Sequence, residues 1–404
     1  MEHTEKMSTT APLEEMHDGP SHAGYNALTL SLEAMDMSAD VLCPKGSNST
    51  KSRQEPKSMI SSMPRSRTAR NSPKSSFKLS FNPSQIKSSI KENGFVKGYA
   101  ASTDQGLVRD YNEDRVSIIL NVNKPQDRAA EVWPRCSFFG VYDGHGGSAC
   151  ADFLRDNLHQ FVTRNVHFPL NPKEALIQGF AQAESAFFEF SKNQSPRDKS
   201  GSCAVVVLIV ADVCYVANLG DSRAIMSGEN GSKVYPLTKD HKPNDPGERS
   251  RIERSGGRIY QSSAQISPDQ KIMGPFRILP GRLSVSRSLG DFEAKIIEYG
   301  GNPDVLIAVP EIRAFKIHSD YDFILLASDG IFDKLSNREV VQSAMAFINQ
   351  KFVLDVHRMC ACGVEGVMVT SLNRRTMDNI TVVIVALEGL ANKAKFFNSN
   401  INKS

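Results

Sequence analysis

Apolar residues occur in short runs that predict buried β-strands from about residue 94 onward. Runs over 138–142 and 323–327 each end near an Asp-Gly pair, and runs over 201–210 and 213–219 are separated by only two residues. Branched and aromatic runs joined by tight connections are typical of antiparallel strands. The same pattern predicts further strands over 222–226, 312–317, 322–328 and 380–387.

Between the strands, apolar residues recur at spacings of three and four, which predicts amphipathic helices. One such stripe runs over residues 150–162, and another runs over 175–190 after Pro172, a residue that favours the first turn of a helix. Ser336 and Glu339 have the spacing of a capping box at the start of a third helix, and residues 355–372 predict a fourth. Strands grouped with helices in this way predict an α+β domain with antiparallel sheets.

Composition divides the 404-residue chain into three parts. Residues 1–93 are rich in Ser, Lys, Met and Pro and have no sustained apolar period, so we expect a disordered tail. Residues 94–390 carry the apolar pattern of one folded domain, and residues 391–404 form a short C-terminal tail. Within the domain, residues 243–281 are polar and rich in Pro and Gly, and we interpret them as a surface subdomain, the flap.

Charge and cysteine content narrow the class of protein. The net charge of +3 is too small to favour nucleic-acid binding, although residues 45–91 are strongly basic and contain Glu55 as their one acid. That stretch either contacts an acidic partner or a membrane surface or is simply solvated. The seven cysteines form no paired framework and no apolar stretch is long enough for a membrane helix. We therefore expect a cytoplasmic or nuclear protein without a transmembrane segment.

Acidic residues follow several of the predicted strands. Asp143 and Asp329 lie at the ends of long apolar runs, where an unpaired charge is costly to bury. Carboxylates that converge from several strands are suited to a hard divalent cation. Any one Asp-Gly pair is more commonly a turn, but four acidic clusters lie at strand ends in this domain. The clusters occupy residues 109–114, 143–147, 328–333 and 377–379.

The oxygen-rich clusters favour Mg²⁺ or Mn²⁺ over zinc, because no cluster of several Cys and His residues lies near them. Several carboxylates can hold two ions about 3.5–4 Å apart, with a bridging water of lowered pKa. The resulting hydroxide is suited to in-line attack on phosphorus. The chain has no Gly-x-x-x-x-Gly-Lys loop, so a nucleoside triphosphate is not the implied substrate.

Seven motifs, taken in order, resemble those of the protein phosphatase 2C family of metal-dependent serine/threonine protein phosphatases. The resemblance spans residues 94–387 and implies a four-layer αββα sandwich, in which two antiparallel sheets are flanked by helices. The motifs are Arg109-x-x-Asn112-Glu113-Asp114, Val141-Tyr142-Asp143-Gly144-His145-Gly146-Gly147, Gly220-Asp221-Ser222-Arg223, Asp240-His241-Lys242-Pro243, Leu283-Ser284-Val285-Ser286-Arg287-Ser288-Leu289-Gly290-Asp291, Ser328-Asp329-Gly330 and Asp378-Asn379.

The resemblance also implies roles for individual residues. Asp143 resembles the carboxylate that bridges both metals, and the carbonyl of Gly144 would bind one of them. Asp329 and Asp378 would bind the other metal, and Glu113 and Asp114 would act through metal-bound water. Arg109 would bind the phosphate, and His145 would donate a proton to the leaving oxygen. Asp221 and Asp333 match positions that the family uses for a weaker third metal.

Some of these residues also have plain structural interpretations. Asp221 would then cap the Gly220 turn, Arg287 would pair with Asp291 beneath the flap, and His241 would be a hydrogen-bonding residue. Cys203 stands where the family often has threonine, which removes a hydroxyl near the metal waters without removing a ligand.

The resemblance implies a monomeric hydrolase that acts on phosphorylated proteins in signalling. A catalytically silent scaffold is the first alternative, but such relatives usually lose an acidic ligand and none is lost here. A two-metal nuclease is the second, and the modest charge disfavours it. In the tail, hydroxyls among basic residues at 65–73 predict either phosphorylation or docking of a partner, beside the simpler possibility of a flexible leader.

Overall fold

The computed structural model describes residues 81–128, 132–267, 270–350, 353 and 355–401. Its strands are β1 (Lys87–Ser88), β2 (Gly98–Asp104), β3 (Arg115–Ile119), β4 (Cys136–His145), β5 (Gly201–Val210), β6 (Val213–Leu219), β7 (Arg223–Gly228), β8 (Lys233–Pro236), β9 (Arg258–Ser267), β10 (Gln270–Leu279), β11 (Leu289–Gly290), β12 (Glu311–Lys316), β13 (Tyr321–Ala327) and β14 (Ile380–Ala386). Its α-helices are α1 (Ala149–Thr163), α2 (Pro172–Lys192), α3 (Pro246–Arg254), α4 (Phe292–Lys295), α5 (Asp329–Phe332), α6 (Asn337–Gln350), α7 (Val356–Asn373) and α8 (Glu388–Ile401).

Two antiparallel sheets make up the centre of the domain. The first has the strand order β1-β2-β14-β13-β7-β8, and the second has the order β12-β6-β5-β4-β3 with β11 beside β5. Strands β9 and β10 pair only with each other among the described residues and form a separate hairpin. The predicted hairpin of β5 and β6 is present, with Ala211 at a φ of 52° in its two-residue connection.

Each sheet is covered on both faces, which explains the continuous apolar runs. Phe139 and Val205 of the second sheet share a core with Ile324 and Val383 of the first sheet. On the outer side of the second sheet, Phe138 packs with residues of α1 and α2. The outer side of the first sheet packs against α6, α7 and α8. The predicted α+β class, with two antiparallel sheets between helices, is therefore confirmed.

The helix starts agree with their sequence signals. Asn171 caps α2 by accepting a hydrogen bond from the Glu174 N–H at 3.3 Å, and Pro172 occupies the first helical position. Ahead of α6, Glu339 Oε2 accepts from the Ser336 N–H at 2.9 Å, while the Ser336 hydroxyl accepts from the Glu339 N–H at 3.3 Å. These reciprocal bonds are the predicted capping box.

Ordered structure extends beyond the predicted domain limits at both ends. On the N-terminal side, β1 pairs with β2, and Phe81 and Ile86 pack against the outer core of the first sheet. On the C-terminal side, α8 runs to Ile401, so the residues predicted as a tail from 391 are largely helical. These apolar contacts are too sparse to give a periodic signal. Residues 1–80 of the predicted tail lie outside the described residues, together with most of the basic stretch and the candidate phosphorylation sites at 65–73.

The flap consists of α3 and the β9–β10 hairpin. The expected pair of Arg287 and Asp291 is wrong, because Arg287 Nη2 instead binds Glu248 Oε1 at 2.6 Å. Arg251 and the Ser286 hydroxyl bind the same buried carboxylate. Although burial opposes ionisation, these hydrogen bonds hold the pKa of Glu248 at about 2. The base of the flap is thus fastened through Glu248 rather than through Asp291.

Six cysteines lie in the described part of the chain, where all of them are buried and none forms a disulfide. Within that same part, none of the helices combines the length and apolar character needed to span a membrane.

We predict that Gly179→Ala destabilises the domain, although the same change in an exposed helix is usually favourable by about 1 kcal/mol. A Cβ at position 179 would lie 2.6 Å from Val162 Cγ2 and 3.1 Å from Val162 Cα, where α2 crosses α1. We expect the free energy of unfolding in urea to fall by about 1–3 kcal/mol. Gly247→Ala in α3 is the control, because its Cβ would meet no atom closer than 3.4 Å. Equal effects of the two substitutions would contradict the prediction.

Candidate active site

Three aspartates from distant parts of the chain meet where the two sheets adjoin. Asp143 lies near the end of β4, Asp221 lies in the turn after β6, and Asp329 begins α5 directly after β13. One carboxylate oxygen of each lies within 4.8 Å of the others. The Asp329 N–H also donates to Asp143 Oδ2 at 3.4 Å, which links the two sheets at this point. Among the described residues, this is the group whose spacing could hold a metal ion.

Close backbone packing brings the aspartates together. Gly220 has a φ of 104°, and a Cβ there would lie 2.2 Å from Cys203 Sγ. At Gly330 a Cβ would lie 1.9 Å from the carbonyl oxygen of Asn379. A larger residue at either position would push apart the turns that carry Asp221 and Asp329, so the Gly-Asp and Asp-Gly pairs have a steric reason.

The three carboxylates repel one another. Burial, together with Asp114 and Asp221, raises the pKa of Asp143 well above its ordinary value. Burial and the negative charges of Asp143 and Asp221 likewise raise the pKa of Asp329 well above its ordinary value. Among the described residues, Lys242 is the cation in contact with the group, and its Nζ lies 2.5 Å from Asp221 Oδ2. Because one ammonium leaves most of this charge uncompensated, and because the donors are carboxylate oxygens, the site fits a hard divalent cation.

Glu113 and Asp114 lie behind this group and are almost completely buried. Asp114 Oδ2 accepts a hydrogen bond from the Ser328 hydroxyl at 2.8 Å, next to Asp329. Burial raises the pKa of Asp114 to about 6, against hydrogen bonds from Thr381 and Ser328 that lower it. Glu113 Oε1 accepts from the Gly147 N–H at 2.6 Å. Both carboxylates are therefore held by the protein itself, and their predicted action through metal-bound water stays a prediction.

Asp378 borders the acidic centre, and its implied role as a metal ligand stays a prediction. It lies outside the three-aspartate group and binds Arg109, with Asp378 Oδ2 at 2.6 Å from Arg109 Nη2. Its charge nevertheless contributes to the raised pKa of Asp143 and of Asp329, so it is a neighbour of the group. Arg109 remains half exposed, and the pair places the predicted phosphate-binding guanidinium at the edge of the acidic centre.

Asp221 and Asp333 were the candidates for a third metal, and the negative charge of Asp221 contributes to the raised pKa of Asp333. Asp221 belongs to the central group. Its carboxylate accepts hydrogen bonds from Lys242 and from the Cys203 thiol, whose Sγ lies 3.2 Å from Asp221 Oδ1. Asp333 lies at the C-terminal end of α5, where burial raises its pKa and Lys242 partly offsets the effect. The grouping of Asp221 with Asp143 and Asp329 is visible only in the tertiary structure.

The thiol of Cys203 faces the acidic group, opposite Asp143 in the pairing of β4 with β5. Burial and the charges of Asp221 and Asp143 raise its pKa well above the ordinary value. The thiol is therefore a hydrogen-bond donor to Asp221, in the position where a threonine hydroxyl was expected.

His145 follows Gly144 at the end of β4. It binds Asp291, which the sequence analysis had paired with Arg287. His145 Nε2 lies 2.8 Å from Asp291 Oδ2, and the Ser288 hydroxyl donates to the same oxygen at 2.6 Å. Burial alone would lower the pKa of His145, but Asp291 outweighs it and raises the pKa. A Cβ on Gly201 would lie 2.6 Å from His145 Nε2, so glycine there makes room for the pair.

Gly144 and His241 hold the surrounding backbone. A Cβ on Gly144 would lie 2.6 Å from the Glu113 carbonyl oxygen, so a side chain would separate β4 from the Glu113 segment. The Gly220 N–H donates to His241 Nδ1 at 3.1 Å, which agrees with the structural interpretation of His241. Burial, with the nearby Arg287, lowers the pKa of His241 to about 4 and keeps the ring neutral.

Comparisons with known proteins agree with this geometry. A family model described as "Protein phosphatase 2C" matches residues 102–379. "Probable protein phosphatase 2C 59" of Arabidopsis thaliana is 32% identical over 298 residues, which cover 73% of this chain and 81% of that protein. "Protein phosphatase 1A" of Bos taurus is 30% identical over 316 residues, which cover 75% of this chain and 74% of that protein.

Two solved structures share the fold. "Crystal structure of serine-threonine phosphatase 2C from Toxoplasma gondii" matches with a TM-score of 0.56 at 22% identity, covering 75% of this chain and 99% of that one. "Structure of a C.elegans sex determining protein" matches with a TM-score of 0.61 at 24% identity, covering 76% and 69%. At these identities the structural matches support the architecture alone.

We predict that Asp329→Asn stabilises the metal-free protein at neutral pH. A group whose pKa is higher in the folded state destabilises that state once it ionises, and one unit of pKa corresponds to about 1.4 kcal/mol. The gain should therefore be largest at pH 7 and should shrink as the pH falls toward the pKa of the unfolded chain. Urea denaturation in excess chelator at pH 7 and at acidic pH measures it.

Asp240→Asn is the matched control for this measurement. Asp240 binds Arg223 at 2.7 Å, so losing its charge should lower the free energy of unfolding at pH 7. A loss of stability in Asp329→Asn under the same metal-free conditions would contradict the inferred repulsion.

Proposed function

Since the chain belongs to the protein phosphatase 2C family, we propose that it is a divalent-cation-dependent phosphatase that hydrolyses phosphoserine and phosphothreonine in proteins. The observation that carries the proposal is the group of Asp143, Asp221 and Asp329, with Arg109 at one edge and His145 nearby. Carboxylates attract cations, a guanidinium binds phosphate, and an imidazolium supplies a proton.

The cation would be Mg²⁺ or Mn²⁺, bound as a pair with a weaker third ion. Asp143, Asp329 and the Gly144 carbonyl would hold the pair, with Asp378 completing it and Asp221 and Asp333 serving the third ion. When bound, such cations would act as Lewis acids toward the phosphate and would lower the pKa of water. Glu113 and Asp114 would orient the surrounding water through oxygens that their hydrogen bonds leave free.

Arg109 would orient the phosphate group of the substrate. Its planar guanidinium can bind two phosphate oxygens, which places the phosphorus for in-line attack. The pair with Asp378 keeps Arg109 at the edge of the centre, and its half-exposed side chain is accessible to a substrate. A phosphate that binds Arg109 would compete with Asp378 for the same Nη2 donor.

His145 would protonate the seryl or threonyl oxygen as it leaves. Its Nε2 faces Asp291, so the proton for the leaving oxygen would come from Nδ1. Asp291 favours the doubly protonated imidazolium, and Ser288 keeps Asp291 in place. An alkoxide is a poor leaving group, which makes this proton important for phosphoproteins.

We also propose that the protein acts as a monomer in the cytoplasm or nucleus. The buried cysteines of the described part support a reducing compartment, because none of them forms a disulfide. Fractionation of cells that express the tagged chain would test the location, and recovery in a secreted fraction would contradict it.

We predict that chelation abolishes hydrolysis of a small aryl phosphate and that added Mn²⁺ or Mg²⁺ restores it. Asp329→Asn should reduce kcat by about 10²-fold or more, because the centre loses a charged ligand and cation binding weakens. Calorimetry of Mn²⁺ binding should show the same loss independently of turnover. Full activity in excess chelator would refute the proposed mechanism, and hydrolysis of single-stranded DNA in place of a phosphopeptide would indicate the nuclease alternative.

We predict that His145→Gln separates substrates by their leaving group. Turnover of a phosphoserine peptide should fall by about 10²–10⁴-fold, because an alkoxide must be protonated as it leaves. Turnover of an aryl phosphate with an acidic phenol as leaving group should fall much less, because such a phenolate needs less help from a proton. His318→Gln, at a ring that packs on Tyr321, is the control and should change neither rate. Equal losses on both substrates would argue against proton donation by His145.

A further inference from the structure

The flap carries a surplus of positive charge. Residues 254–290 contain six cations, and Asp269, which lies outside the described residues, is their one acid. Arg287 is neutralised by Glu248. Among the described residues, no carboxylate forms an ion pair with Arg258, Arg277 or Arg282, although ion pairs occur elsewhere on this surface. An unbalanced positive surface of this kind attracts an acidic partner.

The register of the flap hairpin puts two of these arginines on its solvent face. Ile259 and Ile278 lie opposite each other and pack into the small core beneath the flap. The alternate pairs, Arg258 with Leu279 and Tyr260 with Arg277, therefore point away from that core. Arg258 and Arg277 are diagonal neighbours on this face, about 7–8 Å apart by strand geometry, and their like charges repel.

Arg282 connects this face to the candidate active site. It follows β10, and Arg277 Nη1 donates to its carbonyl oxygen at 2.7 Å. Arg282 also lines a cavity of about 330 Å³ whose wall includes Asp291, the partner of His145. Of the other charged residues in that wall, Lys199 and Glu293 bind each other at 2.8 Å. Arg282 is thus the cation in this cavity wall that the described residues leave unbalanced.

An apolar component accompanies the charge. Leu279 on the same face is 38% exposed, and Ile272 near the tip of the hairpin is 52% exposed. Strands β9 and β10 pair with no further strand in the described part of the chain, so backbone donors and acceptors at their outer edges are open to an extended segment. Together these features fit an extended peptide that carries both acidic and apolar side chains.

We propose that Arg258, Arg277 and Arg282, the arginine surface, bind an acidic segment of the phosphoprotein substrate next to the phosphorylated residue. The segment would run from the acidic centre past His145 and over the cavity at Arg282 to the solvent face of the hairpin. This inference rests on the proposed phosphatase function and specifies its substrate class. It concerns selectivity, because the arginine surface does not contact the reacting phosphate.

The test compares three phosphothreonine peptides of equal length, with four glutamates after the phosphothreonine, four glutamates before it, or glutamines throughout. We expect one acidic peptide to have a kcat/KM about three- to thirtyfold above the neutral peptide, mainly through KM, since an exposed ion pair contributes about 0.2–1 kcal/mol. This preference should shrink as salt is raised, because the charges are exposed. An equal kcat/KM for all three peptides would overturn the proposal.

The variant R258Q/R277Q/R282N removes the arginine surface, with Asn at position 282 because φ is 59° there. The ratio of kcat/KM for the preferred acidic peptide to kcat/KM for the neutral peptide, which is the acidic preference, should fall to about one. Hydrolysis of a small aryl phosphate should stay within about twofold of the parent. The control K173Q/K192Q/K233Q removes the same net charge from exposed lysines outside the flap and should keep the preference. Loss of the preference in the control, or its retention in the arginine variant, would overturn the proposal.

The aryl phosphate also separates the two hypotheses. A parent protein that hydrolyses the aryl phosphate but shows no acidic preference would refute the docking surface alone. A parent protein that hydrolyses none of these esters with Mn²⁺ present would refute the phosphatase function and the docking surface with it.

Discussion

Mutual repulsion among buried carboxylates is the constraint around which this domain is organised. Asp143, Asp221 and Asp329 come within 4.8 Å of one another, and burial together with neighbouring charges raises the pKa of Asp143 and of Asp329. A folded chain tolerates such a cluster only if packing elsewhere forces it and a cation compensates it. Lys242 supplies one positive charge, and the oxygen donors leave a divalent cation as the natural complement.

The packing that enforces this cluster comes from the two sheets. β4 carries Asp143 from the second sheet and β13 leads to Asp329 from the first, and both strands are covered on each face by apolar side chains. Because the sheets meet through a common core, their strand ends cannot move apart without exposing it. Tight contacts at Gly220 and Gly330 then leave the acidic turns little freedom. Stability elsewhere in the domain therefore maintains an electrostatically unfavourable centre.

Residues that support the chemistry lie in the loops around this centre and were harder to predict. Asp291 is the partner of His145, and Glu248 is the partner of Arg287, whereas the sequence suggested a pair between Arg287 and Asp291. The two residues are only four apart in sequence, yet Asp291 binds His145 while Arg287 binds Glu248 of the flap helix α3. Asp378 binds Arg109, a contact between distant segments that no local pattern indicated, and its role as a metal ligand stays a prediction. For Arg287, proximity in sequence was a poor guide to its ionic partner.

Local sequence patterns alone determined many of the secondary-structure elements and the family of this protein. Continuous apolar runs specified doubly covered strands, the Ser336–Glu339 spacing specified a helix start, and the ordered acidic motifs specified the family, because each depends on residues close together in the chain. Tertiary structure alone decided which charges meet. It grouped Asp221 with Asp143 and Asp329, placed Asp378 on Arg109, and left Arg258, Arg277 and Arg282 without carboxylate partners in the described part. Electrostatic energy depends on distance in space, and the folding of distant segments sets that distance.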